Sequence, residues 1–224
     1  MNERLSNLLR IVVEEYVASA EPVGSQHLVE RYRMDVSPAT VRNWFAELEE
    51  AGYLTQPHTS GGRVPTEKGY RAYIELFVRP KPAAKRDRDA LHKTAEVATD
   101  EERQLKAVAK HLAELSGLAL IVGRDDADTF YTGLSQLFSQ PEFKDWQRMV
   151  SMTEVLDRLD ETLHSLRTHA FQGPQILVGR ECPFGPGCGS VVILTDRGFI
   201  GILGPMRMDY QYALSLMTSL SEIL

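Results

Sequence analysis

Residues 37–52 carry their own start and stop signals for a helix, and they constrain the fold more than any other stretch. Ser37 can cap the first backbone N–H groups, and Pro38 stands at the first helical position, where its missing N–H costs nothing. Gly52 provides the left-handed residue that ends many helices. Three apolar residues recur between these signals at helical spacing, namely Val41, Phe45 and Leu48. The stretch therefore predicts an amphipathic helix with one buried face.

The opposite face of this helix is small and polar. Arg42 and Asn43 lie on it, and each can form two directed hydrogen bonds with the edge of a base pair. Such a face is typical of a helix that enters the major groove of DNA, although many ordinary surface helices also carry an Arg and an Asn. The neighbouring segments favour the first interpretation.

Two further helices are predicted before this one. Residues 3–18 have an apolar stripe at helical spacing, and Pro22 and Gly24 break the chain after it. Ser25 is expected to cap a short second helix. Three helices joined by tight turns predict a helix-turn-helix with residues 37–51 in the recognition position.

A short basic hairpin is predicted directly after the third helix. Residues 53–56 alternate apolar and polar side chains, residues 57–62 are typical of a turn, and residues 63–65 form a return strand. In and just after this hairpin, the chain has three basic residues and one acidic residue, Glu67. The basic residues are Arg63, Lys68 and Arg71. A helix-turn-helix followed by such a hairpin predicts a winged-helix DNA-binding domain over residues 1–79.

The predicted contacts with double-stranded DNA fall into three groups. Bases are read by Arg42 and Asn43. Phosphates or groove edges are held by Ser25, Thr40, Arg63, Lys68 and Arg71. The remaining predicted DNA-binding residues are Gln26, Ser37, Ala39, His58, Thr59 and Ser60.

Four segments of this domain resemble the HrcA family of bacterial heat-inducible transcription repressors. They are EPVGS (21–25), SPATVRN (37–43), LEEAGYL (48–54) and QPHTSGGRVPT (56–66). Trp44 departs from the family pattern, which usually has an acidic residue there, and we interpret it as a packing residue. The resemblance implies a homodimer that binds an inverted-repeat operator of chaperone genes, with the chaperonin as a further partner.

Residues 80–89 are predicted to be a stiff, charged linker between two domains. Their basic side chains can contact phosphate, but a charge run of this kind is more often simply solvated. The chain carries a net charge of −6, and residues 1–82 hold 10 Lys and Arg against 11 Asp and Glu, so any DNA binding must depend on local placement. With no signal peptide and no apolar run of about 20 residues, we expect a cytoplasmic protein without a membrane segment.

Residues 90–224 predict a second, α+β domain. Apolar runs predict strands at 118–122, 175–178, 190–194 and 199–203, with another from Phe130, and Asp209 is expected to cap a final helix. Segments 132–137, 140–143 and 201–210 resemble HrcA proteins, which implies a GAF-like domain with an inserted dimerisation subdomain. Here the first strand leads almost directly to residues 131–133, so most of that insert is missing.

No arrangement of residues predicts catalysis, and we expect neither enzymatic activity nor a cofactor. Cys182 and Cys188 have the spacing of neither a structural zinc site nor a disulfide framework, so no metal site is expected and buried thiols are favoured. Residues 83–224 are predicted to dimerise the protein, with the apolar strands and final helix as partner surface.

Two functions stay open at this point. One is an operator-specific repressor, and the other is a regulator whose GAF-like domain senses a small effector. A pocket lined by convergent polar groups would favour the second.

Overall fold

The computed structural model of the chain describes residues 1–57, 61–97, 100–124, 129–167, 172–196 and 198–223. Its contacts divide the chain into two compact units, Met1–Val78 and Arg79–Leu224. Each unit buries its own set of apolar side chains. Within the described residues, no helix is both long enough and apolar enough to cross a membrane.

Among its described residues, the N-terminal unit contains four helices and one short two-stranded sheet. In chain order they are α1 (Glu3–Ser19), α2 (Ser25–Tyr32), α3 (Pro38–Glu50), β1 (Leu54–Thr55), β2 (Val64–Pro65) and α4 (Glu67–Phe77). β1 and β2 pair antiparallel. This order of elements is the one that the sequence predicted.

The predicted limits of α3 are confirmed. The Ser37 hydroxyl accepts a hydrogen bond from the Thr40 backbone N–H at 3.1 Å, and Pro38 occupies the first turn. Gly52 follows the helix with φ 77°, a conformation that glycine adopts without steric cost. The three apolar residues predicted for the inner face are all buried, namely Val41, Phe45 and Leu48.

The predicted cap of α2 was wrong by one residue. The N-cap is Gly24, whose backbone is extended and whose carbonyl accepts from the Leu28 N–H at 3.2 Å. Ser25 is therefore the first helical residue, and its hydroxyl does not cap the helix. Glycine is also accepted at N-caps, so Gly24 and Ser25 give competing signals in the sequence.

Among its described residues, the second unit consists of a five-stranded antiparallel sheet, six α-helices and two short 3₁₀ helices. The helices are α5 (Lys85–Val97), α6 (Glu101–Ser116), α7 (Leu134–Phe138), α8 (Trp146–Asp157), α9 (Leu159–Arg167) and α10 (Tyr210–Leu220). The strands are β3 (Ala119–Gly123), β4 (Thr129–Thr132), β5 (Gln175–Val178), β6 (Cys188–Thr195) and β7 (Gly198–Pro205). Their order is β4-β3-β7-β6-β5, and the α+β prediction is confirmed.

Helices cover both faces of this sheet. Alternate strand residues such as Ile121, Val192 and Phe199 pack in one cluster with residues of α7, α8 and α9. The residues between them, among them Leu120 and Ile202, are also fully buried, and they point to the other face because side chains alternate along a strand. α6 contacts β3 and α10 contacts β6, so these helices cover that second face.

The linker was predicted at residues 80–89, but α5 begins at Lys85. The second half of the predicted linker is therefore helical. Pro82 is the last helix breaker before this point, and residues 85–97 contain neither Pro nor Gly. Asp87 lies in the first turn, where a negative charge favours the helix.

The final helix was wrongly expected to offer a surface to a partner. Asp209 caps α10 as predicted, but eight of its eleven residues are buried within the unit. Among them are polar residues, Ser215 and Ser219, whose hydroxyl groups are hydrogen bonded. A helix that is buried nearly all round is a central element of its unit, so its apolar side chains are already covered.

β3 and β4 form a direct hairpin at one edge of the sheet. Leu120 pairs with Thr132, and Gly123 pairs with Thr129. Residues 124–128 alone join the two strands, which leaves no length for a subdomain between them. Among the described residues, β5 is the strand at the opposite edge of the sheet.

A largely buried ion pair joins the turn before α10 to the 3₁₀ helix Pro141–Lys144. The Arg207 Nε donates to Glu142 Oε1 at 2.6 Å, and Nη2 donates to Gln140 Oε1 at 3.0 Å. The side chains of Arg207 and Glu142 are only 10% and 15% exposed. These residues belong to two of the segments that resemble HrcA proteins, and their pairing holds the two segments together.

Candidate nucleic-acid interface

The outer face of α3 presents the predicted base-reading residues to solvent. Arg42 and Asn43 are exposed, and Ala39 is exposed one turn before Asn43. Thr40 is half-buried, and its hydroxyl is hydrogen bonded to the Ser37 hydroxyl at 2.9 Å. The side chains that we expect to enter the groove are therefore accessible, while Ser37 and Thr40 also hold the start of the helix.

An arginine on α1 pairs with a carboxylate on α3. The Arg4 guanidinium forms two hydrogen bonds with the Glu47 carboxylate, at 2.8 and 3.1 Å. The same guanidinium lies 5.0 Å from the centroid of the Trp44 ring. Trp44 is half-buried and stacks against the protein's own arginine, which fits its interpretation as a packing residue.

α2 is anchored by Glu15, a buried carboxylate on α1 that the sequence analysis missed. It accepts hydrogen bonds from His27 Nε2 at 2.8 Å and the Tyr32 hydroxyl at 2.7 Å, and it pairs with Arg31 Nε at 2.6 Å. Burial raises the pKa of Glu15, but these hydrogen bonds and the Arg31 charge outweigh burial and lower the pKa overall. The sequence signal that could have identified Glu15 is its position on the apolar stripe of α1, seven residues after Leu8.

The predicted contacts on α2 face different surroundings. Ser25 is half-buried at the first helical position. Gln26 is exposed, and its amide donates a hydrogen bond to the Glu30 carboxylate one turn later. A contact of Gln26 with DNA would therefore compete with this intrahelical hydrogen bond.

The base of the hairpin is joined to the segment before α2. The backbone groups of Val23 and Arg63 form two hydrogen bonds, both 2.9 Å long. The Arg63 side chain, of which 18% is exposed, also pairs with Glu49 at 2.9 Å. The bridge to Val23 was not predicted, because an isolated pair of residues leaves no periodic pattern in a sequence.

The other basic residues after the hairpin also have partners within the protein. Lys68 Nζ donates to the Ala51 carbonyl at 2.8 Å and lies 4.6 Å from the centroid of the Tyr53 ring. Arg71 pairs with Glu67 at 2.6 Å. The predicted tip residues lie outside the described residues: His58, Thr59 and Ser60. The role of the hairpin toward DNA stays a prediction.

We expect Gly62→Ala to destabilise the N-terminal unit by about 1–3 kcal/mol, because it over-packs a tight backbone contact. A Cβ atom at this position would lie 2.4 Å from the Val23 carbonyl carbon and oxygen. Urea unfolding measures the change. Gly187→Ala is the matched control, since a Cβ there meets nothing within 4 Å. Equal stability of the two variants would contradict this account of Gly62.

The two cysteines are buried free thiols, as the sequence analysis favoured. Burial raises the pKa of Cys188 to about 12, and the nearby Cys182 adds to this shift. Burial also raises the pKa of Cys182. Both thiols therefore stay protonated near neutral pH, where they are poor nucleophiles.

A cleft of about 1080 Å³ lies between α8 and residues 183–188 in the second unit. Its polar lining includes basic groups, Arg148 and Arg158, and acidic groups, Glu154 and Asp157. Its lining nevertheless exposes more apolar than polar surface, so the cleft has the mixed character of a site for a small molecule.

Residues 81–214 match the family model described as HrcA protein C terminal domain. The heat-inducible transcription repressor HrcA of Kineococcus radiotolerans is 45% identical over 121 residues, which are 54% of this chain and 35% of the relative. The HrcA repressor of Nocardioides sp. is 46% identical over 120 residues, which are 54% of this chain and 36% of the relative. The match thus spans about a third of the length of these relatives.

The fold of the whole chain also has a counterpart among solved structures. The crystal structure of a hypothetical protein superposes with a TM-score of 0.72 and 18% sequence identity. The superposition covers 100% of this chain and 97% of the other. At this identity the similarity concerns the fold alone.

Proposed function

The chain belongs to the HrcA family, and from this premise we propose that it is a DNA-binding transcriptional repressor of heat-shock chaperone genes. The observation that carries the proposal is the exposed face of α3 with Arg42 and Asn43. It belongs to a unit whose elements follow the order of a winged helix-turn-helix domain. The relatives named as heat-inducible transcription repressors support the same function.

In the proposed complex, α3 enters the major groove of the operator. An arginine there can bind guanine O6 and N7, and an asparagine can bind adenine N6 and N7, which gives Arg42 and Asn43 the chemistry to select bases. Ser25, Thr40 and the basic residues around the hairpin contribute contacts with the sugar-phosphate backbone, which fix the orientation of the helix. The hairpin serves as the wing.

The second unit has the proposed role of a GAF-like dimerisation domain. A two-fold dimer would present two copies of α3 to an inverted repeat in the operator. Occupation of that site in the cytoplasm would block transcription of the neighbouring genes. The chaperonin is a further proposed partner, on the family resemblance alone.

We expect Arg42→Ala and Asn43→Ala each to reduce discrimination between operator and random DNA by about 1–3 kcal/mol, the usual value of one bidentate base contact. Both side chains are exposed, so neither change should unfold the unit. Competition binding with operator and random duplexes measures the ratio of the two affinities.

Arg42→Lys is the sharper control for this prediction. Lysine keeps the positive charge but loses the planar fork that binds guanine at two points. The variant should therefore lose selectivity, while the dependence of affinity on salt stays as in the wild type. Wild-type selectivity in Arg42→Ala and Asn43→Ala would refute the assignment of base reading to α3.

A ligand-sensing regulator is the second candidate function, and the observation that favours it is the cleft beside α8. A small effector bound there would be expected to change the affinity of the protein for the operator. Calorimetric titration with cellular metabolites, followed by operator binding in their presence, tests this function. An effector that binds without changing operator affinity would contradict it.

A further inference from the structure

Residues 79–86 form a short basic segment at the start of the second unit. They include four basic residues and no acidic residue, in a chain whose net charge is −6. All four basic residues are exposed: Arg79, Lys81, Lys85 and Arg86. We refer to residues 79–86 as the basic segment.

The backbone of the basic segment is fixed to α10 at two points. The Gln211 side chain accepts from the Arg79 N–H and donates to the Arg79 carbonyl, both at 3.0 Å. Four residues later, the buried Ala83 N–H donates to the Ser219 hydroxyl at 2.9 Å. Ser219 is itself only 1% exposed, so this second hydrogen bond is shielded from water.

The spacing of the two attachment points shows how this part of the chain runs. Gln211 and Ser219 are eight residues apart on a helix, which corresponds to about 12 Å along its axis. Four residues of extended, polyproline-like chain also span about 12 Å. Pro80 and Pro82 restrict φ to values suited to this conformation. The two attachments therefore fit an extended segment that follows α10.

This attachment distinguishes the basic segment from an ordinary solvated charge run. The backbone is already ordered before any partner arrives, so binding loses little further backbone entropy. Ala83 faces the interior, whereas the neighbouring Lys81 and Lys85 face solvent. The result is a group of exposed cations on an ordered backbone, in a protein that is acidic as a whole.

We propose that the basic segment binds phosphates of the DNA backbone. This inference rests on the proposed DNA-binding function. Double-stranded DNA presents phosphates at short, regular intervals, so several cations close together on one ordered segment can bind it without choosing a sequence. The basic segment would then add affinity for operator and random DNA alike and contribute nothing to selectivity.

The test is a triple variant, Lys81→Ala, Lys85→Ala and Arg86→Ala, in the full chain. Its affinity for operator and random duplexes is measured over a range of salt concentrations. The slope of log K against log salt should become shallower by about 0.9 for each phosphate contact that is lost. The ratio of operator to random affinity should not change, because the basic segment reads no bases.

Two controls separate local contact from net charge. Lys93→Ala, Lys110→Ala and Lys144→Ala remove the same charge from exposed positions elsewhere in the second unit, and they should leave the slope unchanged. Lys81→Arg, Lys85→Arg and Arg86→Lys keep the charges of the basic segment and should keep the wild-type slope.

An unchanged slope in the triple alanine variant, or an equal loss in the Lys93, Lys110 and Lys144 control, would overturn the inference. These outcomes differ from failure of the proposed function, in which the wild-type chain itself would bind no duplex DNA.

Discussion

Arg207→Ala is expected to destabilise the second unit by about 3–5 kcal/mol, the usual cost of removing one partner from a buried ion pair. The substitution leaves the Glu142 carboxylate, whose side chain is 15% exposed, without the guanidinium that binds it at 2.6 Å. It also removes the 3.0 Å hydrogen bond to Gln140. A loss of this size is a large part of the roughly 5–15 kcal/mol that stabilises a typical protein. Urea unfolding measures it.

A surface pair provides the matched comparison. The Lys106 Nζ and Glu102 Oε1 atoms lie 2.5 Å apart, but the two side chains are 46% and 50% exposed. Lys106→Ala should therefore cost no more than about 1 kcal/mol. In the double variant Arg207→Met and Glu142→Leu, both charges are gone, and part of the stability lost in Arg207→Ala should return. If Arg207→Ala were as mild as Lys106→Ala, the buried pair would not have the structural role described.

The full chain is expected to bind a complete inverted repeat about 10²–10⁴ times more tightly than one half-site, because the second contact of a dimer is intramolecular. Fluorescence anisotropy with the two duplexes measures this ratio, and sedimentation shows how many chains bind each duplex. The fragment Met1–Val78, which is a compact unit by its contacts, should lose the advantage of the full repeat.

The spacing of the repeat offers a control that leaves every base contact available. An insertion of about 5 base pairs between the half-sites turns one of them by half a helical turn, onto the opposite face of the DNA. Affinity should then fall toward that of the half-site. Equal affinity for the half-site and the correctly spaced repeat, or one chain bound to the repeat, would contradict the proposed dimer.

Local signals explain what the sequence predicted well. The limits of α3 depend on Ser37, Pro38 and Gly52, which act within one turn of the helix ends, and they are confirmed. β3 and β7 are apolar runs buried on both faces, so their residues are recognisable without knowledge of the fold. Where two signals compete within one or two residues, as at Gly24 and Ser25, the predicted boundary was wrong.

Contacts between distant residues account for most of what was missed. Arg207 and Glu142 are 65 positions apart, and neither occurs in a pattern that names the other. The same holds for Gln211, which looks like an ordinary polar residue of a terminal helix but fixes the backbone of Arg79. Such pairings depend on how elements pack together, which periodicity along one element does not encode.

Arg63 joins three parts of the N-terminal unit, and this has a kinetic consequence for DNA association. Its backbone bonds to Val23 before α2, its side chain binds Glu49 near the end of α3, and it immediately precedes β2. The base of the hairpin therefore follows α3 in any rigid-body motion of the unit. We expect the hairpin base and α3 to reach the double helix in one docking step, so that neither searches for its groove separately.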